Sequence, residues 1–347
     1  MKDIRKYYSG SILFTVFGLL FGALVGYFYS GTVAGALSAL FLTFVLGVLE
    51  VALSFDNAVV NATVLKKMTP TWRHRFVTWG ILIAVFGMRI VFPVAIVSII
   101  GHLSPWDAIL LATTKPAEYA QIMLSSHVNL AGFGGAFLLM VALRYFFDEE
   151  KVIHWLFMIE RPMVILGRIQ AIELALALGL FYSLSVMLSN PADQIALLTS
   201  SIIGLITYVL VDGISEFLEL PESSQKDMEK ASAAMFLYLE ILDASFSFDG
   251  VIGAFALTNN IYIIAAGLGI GAMFVRSMTI MLVEKDTLSE FAYLEHGAFY
   301  AIGALAMMML LDIFVHVPEV VTGLIGAVII ALSVVSSIRH SRTEQSN

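Results

Sequence analysis

Between Tyr7 and Leu49 the chain carries no charged residue, and the run then ends on Glu50-Val51-Ala52-Leu53-Ser54-Phe55-Asp56-Asn57. A membrane span needs about 20 apolar residues, so this opening segment is long enough to cross a bilayer twice. Acids next to such a run are costly and persist where they line a cavity, pair with a base or bind an ion. Of the 347 residues 59% are hydrophobic and 13% charged, against about 25% charged in a soluble domain. The chain therefore reads as an integral membrane protein. The basic start, Met1 to Lys6, leads into an apolar run without a convincing cleavage site, which predicts an uncleaved first helix.

The fold class expected is all-α and polytopic. Ten helices are placed at about 11–30, 32–64, 76–101, 128–147, 168–190, 195–212, 232–258, 261–283, 297–315 and 319–338. With alternating crossings, sixteen lysines and arginines fall on the side of the N-terminus and Lys115 alone on the other, Arg89 and Arg276 lying within spans. Such a bias marks the cytoplasmic side, so both termini are expected there. The longest external loop, His102–His127, is expected to dip into the membrane or lie on it. Asp148–Pro162 and Ser215–Lys230 are expected as cytoplasmic surface helices, and the tail after Ile338 as disordered. The multi-pass chain is expected as one transmembrane domain, 1–338, in a bacterial inner membrane, with 339–347 as cytoplasmic tail.

The acidic stretch returns as Asp243-Ala244-Ser245-Phe246-Ser247-Phe248-Asp249-Gly250. Ser54-Phe55-Asp56 and Ser247-Phe248-Asp249 are the same tripeptide, and each aspartate follows another acid by six residues, Glu50 and Asp243. Glu240 lies one turn before Asp243. Each motif is followed by a helix with an arginine nine residues after a glycine, Gly80 to Arg89 and Gly267 to Arg276. Gly135-Ala136-Phe137 is then answered by Gly297-Ala298-Phe299. Helices 2, 3 and 4 thus match helices 7, 8 and 9. An offset of five crossings turns the second half over, which predicts an inverted repeat (about 11–190 and 195–338) with a site near the midplane.

On a helix Glu50, Ser54 and Asn57 share a face, while Asp56 points about 120° away. The second copy repeats this with Glu240, Asp243 and Ser247 against Asp249. Either the helix sits between two partners or it unwinds at the tripeptide, and Gly250 and Gly253 favour unwinding in the second copy. The donor set is all oxygen: Glu50, Asp56, Glu240, Asp243 and Asp249 as metal ligands, with Ser54, Asn57 and Ser247 in support. Such donors suit hard divalent cations. No histidine lies in either motif and there is no cysteine, which argues against a dedicated zinc or copper site. Arg89 and Arg276 balance part of the acid charge. Crowded dry acids favour protonation, so metal-for-proton exchange is the chemistry expected. Glu173, early in helix 5 beside Arg168, is a weaker candidate. No nucleic-acid partner is expected, and the lipid bilayer is the surrounding partner.

These residues resemble the TerC family, whose motifs take the forms Glu-x-x-Leu-Ser/Gly-x-Asp-Asn, here Glu50 to Asn57, and Glu-x-x-Asp-x-x-Phe-x-x-Asp-Ser, here Glu240 to Gly250. Gly250 stands where that motif has serine, and Ile252 near a family proline. The likeness covers about 45–147 and 235–315, and the extra helices suggest a divergent branch. It implies a divalent-metal exporter with Mn²⁺ favoured as substrate, Ca²⁺ or Mg²⁺ as alternatives, and a link to metal homeostasis and tellurium resistance. The reading from a different class is a non-transporting membrane scaffold in metal or tellurite stress. An enzyme is not expected, because the chain has no Gly-x-Gly-Asp segment of the kind intramembrane aspartyl proteases use.

Overall fold

A computed structural model describes residues 2–218 and 225–344, and every regular element among them is helical. The principal helices are α1 (Ser9–Ser30), α2 (Val33–Leu53), α3 (Phe55–Lys67), α4 (continuous through Phe76–Gly80, Ile83–Val91 and Phe92–Ile100), α5 (Pro105–Thr114) and α6 (Pro116–Ser125). They continue with α7 (His127–Phe146), α8 (Phe157–Gly167), α9 (Ile172–Met187), α10 (Pro191–Leu218), α11 (Gln225–Leu257), α12 (Ile261–Glu284), α13 (Leu294–Asp312) and α14 (Glu319–Glu344). Eight helices are long and apolar enough to cross a membrane, and α8 with α9, bent by 107°, makes up to nine among the described residues. α11 has 33 residues and carries the second acidic motif. At about 1.5 Å per residue it is longer than a bilayer core is thick. The chain is a multi-pass membrane protein.

Packing sorts these spans into a core and a rim. In α7 and α12, 67% of the span is buried, against 22% in α1 and 28% in α2 and α14. Leu13, Phe17, Phe28, Phe41 and Phe44 leave an apolar outer surface, suited to lipid rather than water. Inside, α7 packs on α13, α3 packs on α13, and α11 packs correspondingly on α7. The sequence repeat pairs α7 with α13, and it carries the α3–α13 contact onto the α11–α7 contact. Their closeness rests on small residues. A Cβ on Gly135 would lie 3.1 Å from Leu310 Cδ2, and one on Gly204 would lie 2.5 Å from Phe133 O.

Contacts at the helix ends test the alternation independently. Lys6 pairs with Glu284, and Lys66 with Asp286. The Thr69 N–H donates to Ser232 Oγ at 2.9 Å, and Lys151 meets Glu160 at 3.0 Å. Strict alternation assigns all eight residues to one side. His127 at the start of α7 meets Asp312 at the end of α13 at 2.6 Å, two ends that alternation assigns to the other side.

The loop His102–His127 is a helical hairpin, α5 and α6, packed on α4 and α11 with Tyr119 and Met123 fully buried. Three expectations change. Residues 148–156 are irregular rather than helical, because the segment is pinned inward. Glu160, fully buried, accepts from the Trp155 and Leu156 N–H groups at 3.2 and 3.0 Å and from Tyr300 Oη at 3.3 Å. Burial there pushes the Lys151 ammonium below its ordinary pKa, against the pull of Glu160. Ser215–Lys230 is taken up by the ends of α10 and α11, with 219–224 outside the described residues. α14 continues past Ile338 to Glu344, which replaces the expected disordered start of the tail with helix.

The alternation yields a labelling test in a chain without native cysteine. Thr71→Cys and Ser289→Cys, both at exposed positions, should react with an impermeant maleimide from one side of sealed vesicles, and Asn259→Cys only from the other. Labelling of positions 71 and 259 from the same face would break the ten-span order.

Candidate functional site

The two acidic motifs meet through α2, α3, α11 and the arginine helices α4 and α12. The first motif breaks its helix. Ser54 leaves helical angles (φ −109°, ψ 20°), and α3 restarts at Phe55 with Asp56 in its first turn. Asp56 Oδ1 accepts the Asn57 N–H at 2.9 Å. A carboxylate that bonds the backbone locally competes with the helix ladder and is favoured at a helix start, so the break follows from the residues that form it.

The second motif does not unwind. α11 runs unbroken through Ser247-Phe248-Asp249-Gly250. Ser245 Oγ and Ser247 Oγ donate to the carbonyls one turn back, Ile241 at 3.0 Å and Asp243 at 2.7 Å, which satisfies both hydroxyls within the helix. Gly250 serves close approach instead of unwinding: a Cβ there would lie 2.9 Å from Glu50 Oε2.

Both arginines are buried with the acids. Arg89 pairs with Glu50 and donates from Nη1 to Ala84 O at 2.8 Å. Arg276, 2% exposed, donates from Nη2 to Asp243 Oδ2 at 2.9 Å, Glu240 Oε1 at 3.2 Å and Gly80 O at 3.0 Å. Its guanidinium also lies 3.8 Å from the Phe76 ring centre, a cation–π contact. Gly80 and Ala84 lie on or between the π-helical turns of α4, Phe76–Gly80 and Ile83–Val91. Such widened turns are uncommon. Here one helix supplies a backbone acceptor to each arginine.

Glycines set the clearances. A Cβ on Gly271 would fall 2.2 Å from Glu50 Cγ, and one on Gly80 would fall 2.6 Å from Arg276 Nη1 and 2.8 Å from Glu240 Oε1. Asn61 donates to Asp243 Oδ1 at 2.8 Å.

Two small cavities share Glu50 and Ser54. One, about 10 Å³, is bordered by Arg89, Arg276, Asp243, Ser247 and Asn57. Of its lining atoms Asn57 Oδ1, Arg89 Nε and Arg276 Nη1 have no hydrogen-bond partner among the described residues, nor do Asn61 Oδ1 and Glu240 Oε2 of the same charge network. The other, about 30 Å³, is bordered by Asp56, Phe246, Gly250, Ala301, Thr322 and Gly326 among others. That is room for a water-sized occupant.

Of the candidate ligands, Glu50, Glu240 and Asp243 are therefore arginine-paired. Asp56, 5% exposed, has no cationic partner among the described residues. The side chain of Asp249 lies outside the described residues. No group of three or more histidines and acids is arranged as a metal site among them. Glu173 is not part of either cavity; it faces Arg144 at 3.6 Å rather than the Arg168 beside it in sequence. The sequence reading missed Asn61, four residues after Asn57, and the wall that α14 contributes. The amide at helical spacing was a readable signal; the wall, built of Thr322 and two glycines, carries none.

Fold and cavities together define a polytopic α-helical membrane protein with arginine-compensated acids buried between its spans. The chain belongs to the family described as Protein of unknown function (DUF475), whose model matches residues 55–344. No curated protein and no solved structure matches it.

The arginine pairing sets a stability test. Arg276→Gln leaves Glu240 and Asp243 buried without a cation and should destabilise the detergent-solubilised protein by about 3–5 kcal/mol. Adding Asp243→Asn to Arg276→Gln should restore much of the lost melting temperature. A single variant as stable as the parent would show that Arg276 is not needed to hold the acids.

Proposed function

We propose that the protein is a divalent-cation transporter whose substrate passes the helix break at Ser54. The observation that carries this reading is Asp56. It is a buried carboxylate without a basic partner among the described residues, next to a water-sized cavity that also touches Glu50 and Ser54. A bilayer-spanning protein has a simpler alternative at such a position, an apolar residue, so an uncompensated acid there reads as functional.

The donors nearest the cavity are oxygens, which suit hard cations, and their number is small. A cation held there keeps part of its water, as Mg²⁺-type sites do. Glu50 borders both cavities and is held by Arg89. A cation that draws on Glu50 competes with that guanidinium, and protons compete for Asp56, so exchange of metal for protons is the coupling this charge arrangement favours. The resemblance to the TerC motifs supports Mn²⁺ as substrate and export as direction. The lysine and arginine bias supports cytoplasmic termini. Arginine pairing of Glu50, Glu240 and Asp243 favours the second reading, a membrane scaffold whose acids only join helices.

Flux separates the two. Purified protein in proteoliposomes should move Mn²⁺, and Asp56→Asn should abolish that movement while thermal stability in detergent holds or rises, because a buried charge is removed. Stabilisation of the parent by added Mn²⁺, about 2.7 kcal/mol at one hundred times Kd, should vanish in the variant. Retained flux and retained metal-dependent stabilisation in Asp56→Asn would place the site elsewhere and favour the scaffold.

A further inference from the structure

The wall opposite Asp56 comes from α14, a helix that the acidic repeat does not mark. It borders the 30 Å³ cavity through Thr322, Gly323 and Gly326 and has no charged residue between Val320 and Ile338. Its two glycines play different parts. A Cβ on Gly323 would lie 1.8 Å from Leu53 Cδ2 and 3.4 Å from Leu53 Cα, so this glycine seats α14 against the last turn of α2. A Cβ on Gly326 would meet Asp56 Oδ2 at 3.5 Å and Ala301 Cβ at 3.8 Å, both ordinary contact distances. Packing therefore does not require glycine at 326. What the missing methyl leaves is free space beside a carboxylate oxygen, in a cavity with room for about two waters.

We infer that α14 is the size-selecting wall of the cation site, with Gly326 setting the room beside Asp56 and Thr322 adding a neutral oxygen. This rests on the transport reading above. The chemistry makes the consequence directional. Ca²⁺ takes about 6–8 oxygen ligands at roughly 2.3–2.6 Å, whereas Mg²⁺ takes octahedral geometry at about 2.0–2.1 Å, so a narrowed cavity penalises Ca²⁺ more. One methyl in a close-fitting site changes discrimination by about tenfold or more.

The experiment compares full-length parent, Gly326→Ala, Thr322→Val and Gly323→Ala, reading Ca²⁺, Mn²⁺ and Mg²⁺ flux in proteoliposomes and melting temperature without metal. Gly326→Ala should keep the parent melting temperature and lower the Ca²⁺-to-Mg²⁺ flux ratio by about tenfold. Thr322→Val should weaken all three ions without moving that ratio, and Gly323→Ala should lower stability. A Gly326→Ala protein with the parent ratio, or a Thr322→Val protein with the parent fluxes, overturns the wall and leaves transport standing. A Gly326→Ala protein as unstable as Gly323→Ala overturns it too, since position 326 would then be a packing position. A parent that moves none of the three ions removes the transport reading and the wall with it.

Discussion

The structure depends on how buried carboxylates are compensated where water is absent. Arg89 and Arg276 lie within spans, are almost wholly buried, and each faces the acidic motif of its own half. Removing ions from water costs several kcal/mol each, recovered only if geometry and hydrogen bonds are good. That requirement accounts for features that otherwise look unrelated. α4 widens into π-helical turns and offers the carbonyls of Gly80 and Ala84 to the two guanidiniums. Gly80, Gly250 and Gly271 remove methyl groups from positions that Glu50, Glu240 and Arg276 occupy. Phe76 covers the remaining face of Arg276.

Against that background Asp56 is the exception. The motifs are related in sequence, yet they differ in backbone: α2 and α3 separate at Ser54, while α11 continues through Ser247. The equivalent serines differ. Ser54 stands at the start of α3 without a side-chain cap bond, and Ser247 returns its hydroxyl to the turn before it. The repeat is thus asymmetric where it matters chemically. One half opens a helix next to a cavity; the other closes a charge network around Arg276.

Much of the fold was legible before any coordinates. Hydropathy and loop charge locate the spans, because a bilayer leaves the backbone few alternatives to a helix of fixed minimum length. The hairpin of α5 and α6 was less legible, since its apolar residues, Tyr119 among them, are too few for a span and their burial depends on α4 and α11. The inward pinning of residues 148–156 was illegible for a similar reason. Glu160 reads as a surface charge until His296, Tyr300 and Lys151 are brought to it.

From the chain alone one reads the class of the protein, the approximate placement of its apolar spans, the repeated acidic motif and the identity of the acids and arginines that must be reconciled inside a membrane. Each of these is written in local composition and spacing, and the solvent enforces them. The pairing needed the packed helices: that Glu50 goes to Arg89, that Glu240 and Asp243 share Arg276, that Asp56 meets no base among the described residues, and that Gly326 of α14 faces it. The reason is physical. A helix fixes which residues share its own face, but the partner of a buried charge is set by which helices pack together, and that depends on glycine clearances and π-turns spread over several spans.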